Sequence, residues 1–130
     1  FADGDEIREG RIYRRILADR GHFDKDASKP THLAFRPRSV DNGAISALLK
    51  GYVSEDEAAT NPRSPNDRRF GLCEIDIAKA RAASDGRFVV RYAPTAAKLG
   101  HAHVRAFGCN DVEIAITIAE LAEVIRRPKL

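Results

Sequence analysis

His101 and His103 stand two residues apart in the segment His101-Ala102-His103-Val104. On a strand, that spacing sends both imidazoles out of one face. Two histidines so placed suit a strand-borne metal pair, but a catalytic zinc needs a third protein ligand. His32, His22, Cys109 or a carboxylate are all available for that part, and the spacing selects none of them. No metal is therefore assigned. With Arg105 continuing the same side, the face reads as polar and solvent-facing, and one histidine is left as a candidate for general acid–base or ligand work.

Arg14 and Arg15 form the second candidate group. If residues 11–17 are a strand, Arg14 lies between Ile12 and Ile16, and Arg15 between Tyr13 and Leu17. Either face then sets a guanidinium among apolar neighbours, where an unpaired charge is costly. Such an arginine snorkels at a sheet edge, pairs with Glu74 or Asp76, or lines a pocket for an anion. A third possibility is Cys109, beside Asn110 at a helix start that would lower a thiol pKa, with a histidine nearby on the preceding strand. No G-x-S-x-G elbow, P-loop or G-x-G-x-x-G is present. Tyr13 and Tyr92 read as aromatics at the edge of a core.

The elements that must position these groups follow from periodicity. Val112, Ala115, Ile116, Ala119, Ala122 and Ile125 recur at helical spacing. Asn110 with Glu113 resembles a capping box, Arg126 and Arg127 suit the far end of the helix dipole, and Pro128 stops the run. The spacing predicts a helix over 111–126, wide enough in its apolar face to lie across a sheet. Period-2 patterns predict strands at Phe70–Ile77, Arg87–Tyr92 and His101–Phe107, with a short helix at Ala78–Ala83. Gly10–Leu17 reads as a strand because Gly10 and Asp19-Arg20-Gly21 leave little room for a helix. Residues 21–31 read as a polar loop. Ala44, Ile45, Leu48, Leu49 and Tyr52 fit a helix, although Gly43 and Gly51 also allow a strand. Ser54 with Glu57 opens a short helix ending before Pro62, and Asn61–Arg69 is an exposed loop.

The chain has 130 residues, a size expected to form one domain over 1–130 and to need neither metal nor disulfide to fold. With 43% apolar and 32% charged residues it is not disordered, and no apolar run approaches a membrane span. Cys73 and Cys109 show no C-x-x-C spacing, so two free thiols in a reducing, cytoplasmic setting are expected, with Cys73 a small core residue. The acidic start Phe1–Glu6 is unlike a signal peptide, and without an initiator Met the chain is expected to be trimmed or part of something longer. The net charge is only +3, yet most of the 22 basic residues are arginine. They concentrate at Arg11/Arg14/Arg15, Arg36/Arg38 and Arg63/Arg68/Arg69. Near-balance by acids and only 7% aromatics disfavour a nucleic-acid surface.

Three stretches resemble a family of small bacterial proteins of uncharacterised function: Ile12-Tyr13-Arg14-Arg15-Ile16, then Pro30-Thr31-His32-Leu33-Ala34-Phe35 followed by Ala44-Ile45-Ser46, and the Pro94 turn leading to His101-Ala102-His103-Val104 and Gly108. In that pattern the His-Ala pair recurs, so His101 rather than His103 is the residue matched. The family carries no established activity. A fainter likeness is to ADP-ribosyltransferase-like folds, which open with a strand carrying Arg or His, continue with a Ser/Thr strand and close with a catalytic Glu. That likeness implies the first two parts for Arg14 and Thr31. Glu113 departs from it by falling within a helix start.

The expected architecture is α+β: a mixed, mainly antiparallel sheet of about four to six strands with the long C-terminal helix packed on one face. The preferred functional expectation is a small cytoplasmic accessory or interaction module acting through a protein partner, with no cofactor and no membrane. The alternative is a small enzyme for a phosphate-bearing or nucleotide substrate. There Arg14 is the anion clamp and His101 the general acid/base, with His32, His103 and Arg15 as ligand-binding candidates. Nucleic-acid binding through the arginine clusters stands third.

Overall fold

Val and Ile alternating with charged residues, or apolar runs only a few residues long, favour extended chain here, and most of the backbone bonding is spent on one sheet. The computed structural model describes residues 1–36, 44–95, 100–105 and 112–129. Its strands are β1 (Glu6–Ile7), β2 (Arg11–Ile16), β3 (Phe23–Asp24), β4 (Lys29–Pro30), β5 (Ala44–Leu49), β6 (Gly71–Asp76), β7 (Val90–Tyr92), β8 (His101–Arg105) and β9 (Glu123–Arg126). The helices are α1 (Glu55–Ala58), α2 (Ile77–Ala83) and α3 (Val112–Leu121), with 3-10 turns at Ala18–Arg20 and His32–Phe35. Seven strands form one sheet in the order β1-β7-β8-β5-β2-β6-β9, every neighbouring pair antiparallel, while β3 and β4 make a separate hairpin. This is an α+β fold with a mainly antiparallel sheet.

One face of the sheet carries the main core. Ile12 and Ile16 of β2, Ile45, Ala47 and Leu49 of β5, Cys73 and Ile75 of β6, and Ala102 and Val104 of β8 lie under Phe35 of the second 3-10 turn and Ile114 and Ile118 of α3. The opposite face has a smaller cluster, Tyr13, Leu48 and Leu72 beneath Ala58 and Ala59 at the end of α1. α1 starts where Ser54 Oγ accepts the Glu57 N–H at 3.1 Å, as the Ser54/Glu57 spacing implies. Asp76 caps α2 in the same way, through the Lys79 N–H. Among the described residues, no helix is long and apolar enough to cross a membrane.

Two local expectations are corrected, and one left open between helix and strand is decided. The C-terminal helix is short: α3 ends at Leu121, and Glu123–Arg126 turns back as a strand along β6. The helical spacing continues through Ala122 and Ile125, but β-branched Val124 and Ile125 also suit a strand, and the open edge of β6 supplies the partner. The proposed Asn110 cap lies outside the described residues. Residues 44–49 are a strand, because β5 is buried on both faces, by Ile45, Ala47 and Leu49 on one side and Leu48 on the other. Apolar residues on both sides remove the alternation that marks a strand. Within the expected loop at 21–31, Phe23↔Pro30 and Asp24↔Lys29 pair as a two-stranded ribbon.

β9 approaches β6 closely at one point. Gly71 has no room for a Cβ, which would collide with backbone atoms of Arg126 and Pro128. Gly71→Ala is therefore expected to cost about 1–3 kcal/mol of stability, read as a lower urea-unfolding midpoint. An unchanged midpoint would show that the chain after α3 does not lie against β6.

Candidate functional site

The sheet is well zipped on both sides of its middle and barely joined there. β2 and β6 share six register pairs, from Arg11↔Asp76 to Ile16↔Gly71. β5 and β8 share five, from Ala44↔Arg105 to Leu48↔His101. β2 and β5 meet at only two, Ile12↔Leu49 and Tyr13↔Leu48, and beyond those they part. Arg14 stands at the fork. Its Nε donates to the Ala34 carbonyl at 3.0 Å and its Nη1 to the Ser46 carbonyl at 3.1 Å. A guanidinium thus stands in for ladder hydrogen bonds and ties β2, β5 and the His32–Phe35 turn together. The carboxylates suggested as partners for Arg14 and Arg15 are taken elsewhere: buried Glu74 meets Lys50 Nζ at 2.7 Å and Arg11 Nη1 at 3.6 Å, and Asp76 meets Arg11 at 4.0 Å.

Arg15 points to the other face of the sheet. Its Nη1 donates to the Thr60 carbonyl at 2.9 Å, and its guanidinium lies 5.9 Å from the centre of the Phe70 ring. Among the described residues no carboxylate stands within ion-pair distance of it. Burial lowers its pKa from the usual guanidinium value, the direction expected of a cation short of water.

His101 reaches the same region from β8. The pairs Tyr13↔Leu48 and Leu48↔His101 set these three residues in one cross-strand row. His101 Nδ1 lies 2.9 Å from the Ala93 carbonyl, while the Ala93 N–H donates to the His101 carbonyl at 3.1 Å. A carbonyl can only accept, so the ring proton is on Nδ1 and Nε2 is the nitrogen able to take or give a proton. Arg14, Arg15, Ser46, Asn61, Arg63 and His101 line a cleft of about 470 Å³ at the fork, and among the described residues no Asp or Glu lines it.

The cleft has a smaller counterpart of about 260 Å³ on the far face, lined by Arg20, His22 and Arg36 and sharing Arg14 and Ser46 with it. His22 Nδ1 accepts the Leu17 N–H at 3.2 Å. Burial first, then the charges of Arg14 and Arg20, bring its pKa down to about 4.

Arg14, Arg15 and His101 are thus brought together. His32 is not: it lines a separate depression of about 420 Å³ against Ile116 and Ala119 of α3. β8 pairs His103 with Ser46 and Arg91, but the His103 side chain lies outside the described residues, as does Cys109. Thr31 does not stand on a strand; it precedes the 3-10 turn, with its hydroxyl donating to the Gly21 carbonyl. Glu113 lies in the first turn of α3. Cys73 is buried and its thiol is pushed up to about 12 by burial, so it serves packing. No group of three or more His, Cys, Asp or Glu side chains able to hold a metal occurs among the described residues. Ser46 and Asn61 were not singled out by residue type or spacing. Arg63 shows in sequence only as one member of an arginine-rich loop.

Comparison with protein-family models, curated proteins and solved structures gives no match.

His22 carries a pH dependence whose sign follows from its environment. Its folded pKa lies below the ordinary 6.5, so the unfolded chain takes up the proton first. The stability linked to neutral His22 is full above pH 6.5 and is lost as the pH falls toward 4. His22→Asn, which keeps an acceptor for the Leu17 N–H, is expected to flatten that part of the stability–pH curve. Parallel curves for the two proteins between those values would contradict the assignment.

Proposed function

We propose that the fork between β2 and β5 is a binding site for a phosphate-bearing small molecule, with Arg14 and Arg15 holding the anion and His101 moving a proton on it. The observation that carries this reading is Arg15, a half-buried guanidinium beside a cleft lined by no acid among the described residues. A cation that has lost water without gaining a carboxylate is stabilised by an incoming anion, and the planar fork of arginine suits phosphate oxygens. Arg63 from the 61–69 loop adds a third positive charge on the same cleft. The proton on His101 Nδ1 leaves Nε2 as the acid–base atom, the disposition general acid–base catalysis needs.

Two other arginines of the same clusters are paired with acids. Arg69 pairs with Asp67 and Asp19, and Arg11 with Glu74, Asp76 and Glu123. That pairing reduces the field a nucleic acid would meet. Docking of a protein partner keeps one observation in its favour: Ile116 and Leu121 of α3 are 43% and 37% exposed, and Ile125 of β9 is 36% exposed. A complex or dimer dissolved by Ile116→Asp, with Arg15→Gln without effect, is the outcome that would favour that role.

Calorimetric titration with pyrophosphate tests the anion site. Binding is expected in the wild-type chain and at least about tenfold weaker in Arg15→Gln, the scale of losing one charge-assisted hydrogen bond. No binding at millimolar concentration, or equal binding by both chains, would overturn the reading. Where phosphorus NMR detects turnover of a phosphate ester, His101→Asn is expected to slow it by about 100-fold or more with pyrophosphate binding little changed.

A further inference from the structure

The cleft at the fork adjoins a second, larger groove of about 920 Å³, and Leu48 and Pro62 are walls of both. The two halves differ in chemistry. The larger one is lined by Asp56 and Glu57 but also by Arg68 and Arg126, so its charges balance, whereas the smaller has Arg14, Arg15 and Arg63 and no acid among its described lining residues. A phosphate is drawn more strongly to the smaller half, which favours one orientation for a ligand filling both.

The larger half also has a flat aromatic wall. Tyr52 is 49% exposed, although its backbone is fixed by the N–H donating to the Leu49 carbonyl at 3.2 Å. Its Cβ rests on Gly100, where a side-chain carbon would come within 2.7 Å of it. The ring lies 6.1 Å from that of Tyr92, which is buried, so one edge is braced while much of the ring meets solvent. Val53, Pro62 and Pro65 supply further apolar surface, and the carboxylates of Asp56 and Glu57 can accept from hydroxyl and amino groups. Arg126 holds Asp56 at 2.6 Å and Glu55 at 3.3 Å, which fixes that acidic corner.

We infer that the ligand is a nucleoside phosphate, with its phosphate at the Arg14/Arg15 end and its base stacked on Tyr52 in the larger groove. The inference rests on the anion-binding reading above and adds the identity of the other end of the ligand. Base stacking on an aromatic ring is sequence-tolerant and contributes to affinity. Tyr52 is then the residue that separates nucleotides from other phosphates.

The test compares pyrophosphate, ribose 5-phosphate, AMP and ADP by calorimetry on the wild-type chain, Tyr52→Ala, Tyr52→Phe and Arg15→Gln. ADP is expected to bind about tenfold or more tightly than pyrophosphate, and AMP likewise against ribose 5-phosphate. Tyr52→Ala should erase both advantages while leaving pyrophosphate unchanged, and Tyr52→Phe should keep them. Tyr52 is a surface residue, and thermal unfolding of each variant confirms that it is folded. Nucleotides bound no tighter than their base-free counterparts, or nucleotide affinity indifferent to Tyr52→Ala, would overturn the inference. If pyrophosphate binding still depends on Arg15 in that case, only the base subsite has failed. If none of the four ligands binds in an Arg15-dependent way, the anion site falls with it.

Discussion

The guanidinium of Arg14 occupies a place in the sheet that backbone amides would otherwise fill. Two strands that part after two pairs leave carbonyls facing a gap, and buried carbonyls must be satisfied. Arg14 donates to two carbonyls at once, that of Ala34 in the buried 3-10 turn and that of Ser46 on β5, where Ser46 lies in the ladder with β8. The position of the 3-10 turn over the core and the width of the fork both follow from this bridge. So does the spacing of the cleft, because Ser46 is carried on the strand that also pairs with His101.

Charge placement supports the same arrangement from the side. Glu74 is a buried acid whose carboxylate is held by Lys50 at one end of β5 and Arg11 at the start of β2. The hydrogen bond and charge of Glu74 raise the Lys50 pKa. That trio closes the joined end of β2 and β5, while Arg14 holds the open end. Glu74 and Asp76 are thereby engaged where the strands meet, and among the described residues no acid lines the cleft at the fork.

Much of the fold was legible where local pattern and tertiary role agree. β2, β6, α2 and the Ser54 cap fall close to where alternation and capping residues put them. What local pattern left open at β5 and missed at β9 shares a cause: both depend on partners far along the chain. Leu48 is buried on the second face by α1, and Val124 is drawn to β6, and neither influence is visible in a local window. The arginines were legible as a cost, since a charge between Ile12 and Ile16 has to be answered somewhere. Their partners were not, because backbone carbonyls of Ala34, Ser46 and Thr60 leave no trace in residue type. His101 was visible from its segment, whereas His32 fell on a turn that faces α3.

The narrow joint between β2 and β5 also makes the sheet two leaves sharing a short spine. Arg15 rides on the leaf with β6 and β9, and His101 on the leaf with β7 and β1. The separation of Arg15 and His101 is therefore set by an angle between leaves, not by a distance within one rigid strand pair. Packing at the spine sets that angle, so buried Leu49 and Ile12 act as the fulcrum between Arg15 and His101.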